Sequence, residues 1–423
     1  MVTTAPRVRR GGAFVLVVLG ACAALVLRTD ESQARLTDYA TDLQRLDAQL
    51  LALGPRLIAP SPLERATRQV ALLQRRAALT GSTADEARAR AAAAENLQGL
   101  GPAPDLLLLA ADFALRFHRL AEARADLERL PARIAGPSAE ALRSDLALQE
   151  GDYARARLHC EEALRVRRDW DVLERLAHLE SLRGASESAD ALYAQAEDEL
   201  TAKEMRAYAW VELQRGQLAL SRGRHAEAEQ HYARAERGYS GDWRVAEHLA
   251  ELCAAERRFE EAVALYERVV ARVARPEIEQ ALGDLLAFIG RPEAARGWHD
   301  RALRGYLASV GRGEVHYFHH LAGFFADARP DADEALRWAR RDAALRGGVP
   351  TQDALAWALY RAGRFSEALD AMRTALQGGI RDAHLCFRAG MIHLAAGRAA
   401  EGRHWLALAA DLNPHYDAFH EHR

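Results

Sequence analysis

The feature that most constrains this chain is a small residue that recurs at nearly constant spacing. Nine positions carry it, at intervals of 33 to 40 residues: Ala123, Ala156, Ala189, Ala228, Ala262, Ala295, Ala335, Ala368 and Gly402. A period near 34 residues is that of a repeated pair of helices, which cannot bury its apolar face alone and must stack on its neighbours. We therefore predict an all-α solenoid without a pocketed catalytic domain.

Other residues recur in step with these anchors. A small residue in the preceding helix, such as Gly283, lets two backbones approach closely, and Gly363 and Gly397 fall just before a second helix, where glycine adopts a left-handed turn with least strain. From about residue 104 to residue 414 the pattern resembles the tetratricopeptide repeat family, and a weaker unit anchored at Ala87 extends it. The resemblance implies a right-handed superhelical solenoid of nine to ten helix-turn-helix units, over residues 61–414, that binds a protein or peptide in its concave groove.

Two intervals between anchors are longer than the others. Extra residues near 197–206 and 305–313 account for them, and we expect each to lengthen a second helix or its loop. The unit anchored at Ala335 is among the least regular, with Pro330 where a glycine is usual.

The N-terminal residues have the pattern of an export or anchor segment. Three arginines within residues 1–10 precede the uncharged apolar residues 11–27, and acidic residues follow. This charge bias predicts a cytoplasmic N-terminus and a single pass through the cytoplasmic membrane, with the repeats on the periplasmic, extracytoplasmic side. Two alternatives stay open: a cleaved signal peptide, which would leave a periplasmic or secreted protein, and lipidation at Cys22.

Residues 28–60 form a predicted juxtamembrane helix and linker. Its apolar residues follow a heptad spacing: Leu36, Tyr39, Leu43, Leu46, Leu50 and Leu53. The heptad stripe is short for a coiled coil, so we expect it to pack against the first repeats, with a homodimer through Leu36 to Leu53 as the alternative.

Several classes of chemistry have no support in the sequence. The formal charge of −3 argues against nucleic-acid binding, and there is no nucleotide-binding loop, nucleophile elbow, HExxH or CxxC. We therefore predict no enzyme, no cofactor and no metal site. Cys160, Cys253 and Cys386 fall on packing positions of different repeats, too far apart to pair. The histidine-rich tail, residues 415–423, could bind a metal but has nothing to fix ligand geometry.

The first helices of the repeats should line the groove. Counting from the anchors places acidic residues in its first two thirds: Asp145, Asp171, Glu174, Glu247, Glu251, Glu277 and Asp284. Farther on, the same count gives the predicted partner-binding residues Tyr317, His320, Phe324, Trp357, Tyr360, Phe387 and Met391. Aromatic side chains and methionine favour peptide docking. We predict a non-catalytic scaffold or adaptor in the assembly of a bacterial envelope complex; the alternative is a secreted binding or metal-delivery factor with a cleaved signal peptide.

Overall fold

The structure is a computed structural model that describes residues 38–53, 61–131 and 136–416. The chain divides into two compact units, Met1–Leu36 and Thr37–Arg423, and all described residues belong to the second. The predicted basic and anchor segments, residues 1–10 and 11–27, lie outside the described residues. Among the helices that are described, none combines the length and apolar character needed to cross a membrane.

The described residues form helices and contain no strand. The helices are α1 Tyr39–Ala52, α2 Pro62–Thr80, α3 Thr83–Leu100, α4 Pro104–Arg116, α5 Leu120–Glu128, α6 Pro137–Glu150, α7 Tyr153–Val166, α8 Trp170–Leu182, α9 Ser186–Asp198, α10 Met205–Leu220, α11 His225–Gly238, α12 Trp243–Ala255, α13 Phe259–Arg272, α14 Pro276–Phe288, α15 Pro292–Gly311, α16 Phe318–Gly323, α17 Ala332–Ala343, α18 Val349–Arg361, α19 Phe365–Ala375, α20 Ala383–Ala395 and α21 Ala399–Leu412. Helix α16 continues as a π-helix through Phe324–Ala328.

From α2 onward, consecutive helices pack in pairs, and each pair stacks on the next. We number the ten described pairs repeats 1 to 10, from α2 and α3 to α20 and α21, and name the two helices of each pair A and B. This architecture confirms the predicted all-helical, tetratricopeptide-like solenoid. Repeat 1 is the weaker unit of the sequence, but its buried small residue is Ala89, whereas Ala87 is exposed.

The recurrent small residues lie where helix A and helix B of one repeat approach each other. The eight alanine anchors are at most 2% exposed, and Gly402 is buried as well. On the facing helix, a Cβ atom added to Gly283 would lie 2.3 Å from Cδ2 of His299, so no larger residue fits without displacing that ring. The repeat spacing thus arises from the close packing of helix A against helix B in each repeat.

The three irregular places have different structures. The first extra stretch lies mostly in the loop between α9 and α10, whereas the second lengthens helix B of repeat 7, Pro292–Gly311, to 20 residues. Helix A of repeat 8 ends in the π-helix just before Pro330. A π-helical turn takes up an extra residue, so side chains that follow Gly323 point to a different face from the one that the anchor count assigns.

Repeats five to six units apart also contact each other, and we call these contacts the seam. The backbone N–H groups of Gly347 and Gly348 both donate to the carbonyl oxygen of Gln149, each at 3.1 Å. One repeat later, the N–H of Arg381 donates to the carbonyl oxygen of Leu182 at 3.0 Å. The A–B turns of repeats 3 and 4 therefore bond to the loops between repeats 8 and 9 and between repeats 9 and 10, respectively.

The same arrangement extends along the seam toward its N-terminal end. The indole N–H of Trp243 donates to the Leu79 carbonyl oxygen at 3.0 Å, and Arg119 donates to that of Gly313 at 3.1 Å. Gly151 lies so close to the seam that an added Cβ atom would be 2.5 Å from the Gly347 carbonyl oxygen. Glycine is required here by both its φ of +86° and this close approach.

Helix α1 continues the seam at its N-terminal end. The Tyr39 N–H donates to the Ser240 carbonyl oxygen at 3.1 Å, and the Tyr239 hydroxyl donates to Asp42 at 3.1 Å. Leu46 is 1% exposed, and Leu43, Leu50 and Leu53 pack against the same core. The described part of the heptad helix therefore packs on helix A of repeat 1, as predicted, and also on the loop between repeats 5 and 6, which was not predicted. The homodimer alternative is not supported, because this chain itself covers the described part of the stripe.

Candidate functional site

A cavity of about 990 Å³, which we call the lumen, lies inside the solenoid. Its wall comes mainly from the helices A of repeats 3 to 10 and from loops at the seam. Eight of the 14 histidines within the described residues line it: His118, His178, His225, His248, His299, His319, His384 and His415. Each imidazole can donate and accept, so these rings add hydrogen-bonding groups to a wall whose exposed surface is mainly apolar.

Side chains on the wall bond from one helix A to the next. The guanidinium group of Arg388 donates to Asp353 at 2.6 Å, and the indole N–H of Trp357 donates to Asp327 at 2.9 Å. In the first half of the lumen, the Gln217 amide and the His248 ring are 2.8 Å apart. Positions one repeat apart face the same way, so such bonds connect neighbouring helices along the wall.

The carboxylates predicted to make the first part of the groove acidic are largely neutralised within the chain. Arg175 donates to both oxygens of Asp145 at 2.9 Å and also pairs with Asp171. Two further acidic residues pair with histidines: Glu251 with His248 at 2.6 Å, and Asp284 with His299 at 2.8 Å. Glu277 pairs with Arg275. The carboxylates expected to form an acidic surface are therefore mostly hydrogen-bonded or ion-paired within the chain.

Glu174 and Glu247 carry the remaining negative charge of this region. Burial raises the pKa of Glu174 to about 7, and the neighbouring carboxylates of Asp171 and Asp145 add to the effect while Arg175 opposes it. Burial likewise raises the pKa of Glu247 to about 7, with repulsion from nearby glutamates. Near neutral pH these two groups are partly protonated, which reduces the charge that a partner would meet.

Two histidines at the seam, His118 and His316, have lowered pKa values. Desolvation, with Arg346 adding repulsion, lowers the pKa of His118 to about 3. Desolvation and the nearby Arg275 lower the pKa of His316 to about 4, against the opposite effect of Glu314 and Glu277. His118 also has a φ of +56°, at a turn position where most other repeats have glycine.

Two of the predicted partner-binding residues are in the core and not on the groove. Tyr317 is 3% exposed and Phe324 is 0% exposed, so neither offers surface to a partner, and this part of the prediction is wrong. The π-helical end of helix A in repeat 8 accounts for Phe324, whereas Tyr317 is the N-cap residue of that helix and packs on the Tyr306 ring, with centres 5.0 Å apart. His320 is half-buried and stacks on Tyr306 with ring centres 5.9 Å apart.

Trp357 and Phe387 are the predicted residues that the structure places on the lumen wall. The Trp357 ring lies between the Tyr360 ring, with centres 4.6 Å apart, and the Arg388 guanidinium group, 4.8 Å from its centre. Tyr360 and Met391 are half-buried and do not line the lumen. The binding role of these side chains stays a prediction.

The lumen histidines and glutamines are the wall residues that sequence reasoning missed. His178, Gln214 and His248 recur at 36 and 34 residues, on helices A of successive repeats. A search for polar residues that share the anchor period would have found this row. The row of His178, Gln214 and His248 was missed because only aromatic and acidic residues were assigned to the groove.

Potential metal ligands come together once among the described residues. One ligand atom each from Glu140, His159 and Glu162 of repeat 3 lie within 4.8 Å of one another. Glu140 already pairs with His159 at 2.7 Å and with Arg143, which explains the cluster without an ion. His420 and His422 of the tail lie outside the described residues.

The three cysteines of the described repeats are free and buried, in agreement with the prediction that they do not pair. Burial raises the pKa of the Cys160 and Cys386 thiols to about 11. A thiol with so high a pKa is a poor nucleophile at neutral pH. These cysteines are core residues.

No protein-family model matches the chain, and neither does any curated protein. Solved structures with similar helical architecture include yeast Tom70 (12% identity, TM-score 0.40, covering 89% of this chain and 93% of Tom70). IFIT1 bound to Gppp-AAAA has 14% identity and a TM-score of 0.44, with 88% and 95% covered. A tetratricopeptide repeat protein from Parabacteroides merdae has 17% identity and a TM-score of 0.34, with 57% and 98% covered. All three TM-scores are below 0.5, so we base no functional argument on them.

Proposed function

We propose that this chain is a non-catalytic scaffold that binds a segment of another protein in its lumen. The observation that supports this most is the cavity of about 990 Å³ along the helices A, onto which Trp357 and Phe387 project. That volume is at the upper end of the range for ligand pockets, about 300 to 1,000 Å³. It suits an extended peptide better than a folded domain.

The chemistry of the wall suggests what kind of segment would bind. Most carboxylates and arginines of the wall already have a partner within the chain, whether a histidine, an opposite charge or a backbone group, so a strongly charged ligand gains little from them. Imidazole and amide groups can bond to the backbone of an extended chain, and the exposed edges of Trp357 and Phe387 can contact apolar or aromatic side chains. The proposed partner segment is therefore extended, nearly neutral and aromatic.

Replacing Trp357 and Phe387 by alanine is expected to weaken capture of protein partners, because buried aromatic anchors can each contribute about 2 kcal/mol or more to binding. Exchanging Glu247 and Asp284 for glutamine and asparagine should weaken it less. Affinity capture followed by quantitative mass spectrometry measures both. Trp298→Ala is the matched control, since Trp298 stacks under Arg301 at 4.5 Å on a helix B, away from the lumen. If the lumen variants keep their helical content and capture the same proteins as the control, the lumen is not the partner site.

We further propose that the scaffold acts in the bacterial envelope, in the assembly or organisation of a complex. The support is the arginine-rich residues 1–10 followed by the apolar residues 11–27. A reporter that is active only outside the cytoplasm, fused after the repeats, should be active; activity confined to a cytoplasmic reporter would overturn the location. The mass of the mature N-terminus then separates an intact anchor from a cleaved signal peptide.

A further inference from the structure

Three histidines lie together where repeat 2 meets repeat 8 across the seam. His118 is in the turn between helices A and B of repeat 2, whereas His316 just precedes helix A of repeat 8 and His319 lies in it. The ring centres of His118 and His319 are 6.1 Å apart. The His316 ring packs edge-on against Phe117 of the same turn, with centres 5.1 Å apart. These imidazoles therefore fill the contact between two repeats that are six units apart.

The surroundings of His316 favour its neutral form. The residue is 7% exposed, and neither of its ring nitrogens has a hydrogen-bond partner within the described residues. A protonated imidazole carries two N–H donors, whereas the neutral ring carries one. Because a buried donor without an acceptor is costly, the closed seam disfavours a second proton on this ring.

The hydrogen bonds of the other two rings are complete without a further proton. Nδ1 of His118 donates to the Gln149 side-chain oxygen at 2.6 Å, a bond that favours a charged ring but is already made by the neutral one. The Arg346 guanidinium group is 3.0 Å from Nδ1 of His319. A guanidinium group can only donate, so this nitrogen accepts. Protonating it would place two donors against each other.

The charged and titratable groups that face His118 and His319 act in the same direction. Desolvation lowers the pKa of both histidines, and Arg346 repels a positive charge on either ring. Arg346 is itself paired with the buried Asp342. His320 and the other two histidines of the cluster add repulsion at His319.

His316 faces charges of both signs. Arg275 and Arg312 repel a positive charge on its ring, whereas Glu314 and Glu277 attract one. Desolvation is the largest effect, and the pKa of His316 is lowered to about 4 despite the two carboxylates. All three rings of the cluster are thus bound in the seam mainly as neutral imidazole.

We propose that His118, His316 and His319 make the seam a pH-sensitive closure, which holds at neutral pH and opens in acid while the repeats stay folded. In an open seam the rings are solvated and take up protons below their ordinary pKa of about 6.5. The open state then binds more protons than the closed one, so the closed state loses stability as the pH falls below about 6.5. His118 and His319 also line the lumen, so that opening changes the cavity.

One carboxylate at the seam acts in the opposite direction. Glu86 of repeat 1 pairs with Arg275 at 3.2 Å, and burial raises its pKa to about 7, so acid favours closure there. At pH 5 the pKa shift of Glu86 changes the equilibrium by less than about a hundredfold, whereas those of His118 and His316 change it about thirtyfold each, or about 900-fold together. With His319 added, the net effect of acid is to open the seam.

Hydrogen exchange in the full chain tests the opening directly. Opening constants of the Gly347 and Gly348 amides, which bond across the seam, are measured at pH 7.5 and pH 5.0 after correction for the intrinsic exchange rate. We expect them to be at least tenfold larger at pH 5.0. The Gly363 amide bonds to Tyr360 within its own repeat and should change less than threefold. An equal rise at all three amides, or none at the seam, would overturn the proposal.

Exchanging the histidines tests their role in the opening. The double variant His118→Asn, His319→Gln does not titrate, yet asparagine tolerates the positive φ of residue 118 and glutamine can still accept from Arg346. Its acid-induced rise at the seam amides should be at least threefold smaller than that of the unaltered chain. The matched control is His393→Gln, a half-buried histidine of repeat 10 that bonds within its own helix, and it should keep the full rise.

His316→Phe keeps the test decisive if the double variant does not fold. Phenylalanine leaves a ring beside Phe117 and removes the two buried nitrogens. The seam amides of this variant should be protected at least threefold better at pH 5.0 than those of the unaltered chain. Circular dichroism at both pH values identifies any variant that has lost its helices. Full acid opening in every folded variant contradicts the proposal.

A change in partner binding rests on the proposed function, whereas the opening is measured on the chain alone. If the lumen binds a partner, capture at pH 5.0 should fall at least tenfold in the unaltered chain and less in the double variant. Seam amides that open in acid, without any lumen-dependent capture at pH 7.5, would leave the closure standing and remove the scaffold function. Lumen-dependent capture with seam amides that ignore pH would do the reverse.

Discussion

Exchanging Gly151 for alanine is expected to break the seam at its centre. The residue has a φ of +86°, and a Cβ atom would lie 2.5 Å from the Gly347 carbonyl oxygen, which is backbone and cannot rotate away. The left-handed conformation costs a residue with a Cβ about 1–2 kcal/mol, and forcing an extra methyl group into packed structure adds about 1–3 kcal/mol. We expect a lower urea midpoint and at least tenfold faster hydrogen exchange of the Gly347 and Gly348 amides, which bond across the seam.

Gly363→Ala provides the matched control. Gly363 occupies the corresponding turn of repeat 9 with a φ of +72°, but an added Cβ atom there would have no other atom within 4 Å. Its exchange should cost only the conformational part, about 1–2 kcal/mol, and leave the exchange rates of Gly347 and Gly348 unchanged. If the two variants behave alike, the two turns of the solenoid do not press on each other at Gly151.

Removing the Asp342 carboxylate is the second large effect that we expect. Asp342 is 0% exposed, pairs with the buried Arg346 and accepts a hydrogen bond from Thr351 at 2.6 Å. Asp342→Ala leaves the buried Arg346, which is 8% exposed, without its counter-charge. Breaking a buried pair in this way costs about 3–5 kcal/mol. The measurement is the urea transition, together with hydrogen exchange of α17 and α18.

An exposed pair of the same kind serves as its control. Asp370 and Arg373 are 2.9 Å apart on one helix, and both side chains are 65% exposed. Asp370→Ala should cost between 0 and about 1 kcal/mol, because solvent screens such pairs. Adding Arg346→Met to Asp342→Ala should restore part of the lost stability. A cost of under about 1 kcal/mol for Asp342→Ala would show that water reaches Arg346 when its partner is absent.

The architecture could be predicted because each repeat depends on local spacing. Ala156 and Ala368 are fully buried at the positions that the period assigns to them, and the turn glycine Gly363 has the left-handed φ expected of it. Ala87 was the exception, since the fully buried small residue of its helix B is Ala89. An error of two residues in the assigned anchor is easily made when a single repeat has few other consensus residues to fix its register.

The site was harder to predict because its contacts join positions far apart in sequence. The sequence alone suggests that Asp145 is an exposed acidic residue, because its partner Arg175 lies in the next repeat. The anchor count assigns Phe324 to the groove, because the count takes no account of the π-helix that begins there. The seam depends on the angle between successive repeats, accumulated over five or six of them, and no pattern within one repeat encodes that angle.

The seam also bears on how such a gene can change. An open solenoid gains or loses units by duplication or deletion, since each unit touches only its neighbours. In this chain Gly151 faces Gly347, and Leu182 bonds to Arg381, one unit farther along on both sides. Inserting one unit between them would put every later loop opposite the wrong turn. We therefore expect this chain to tolerate substitutions and changes in loop length better than the gain or loss of a whole unit.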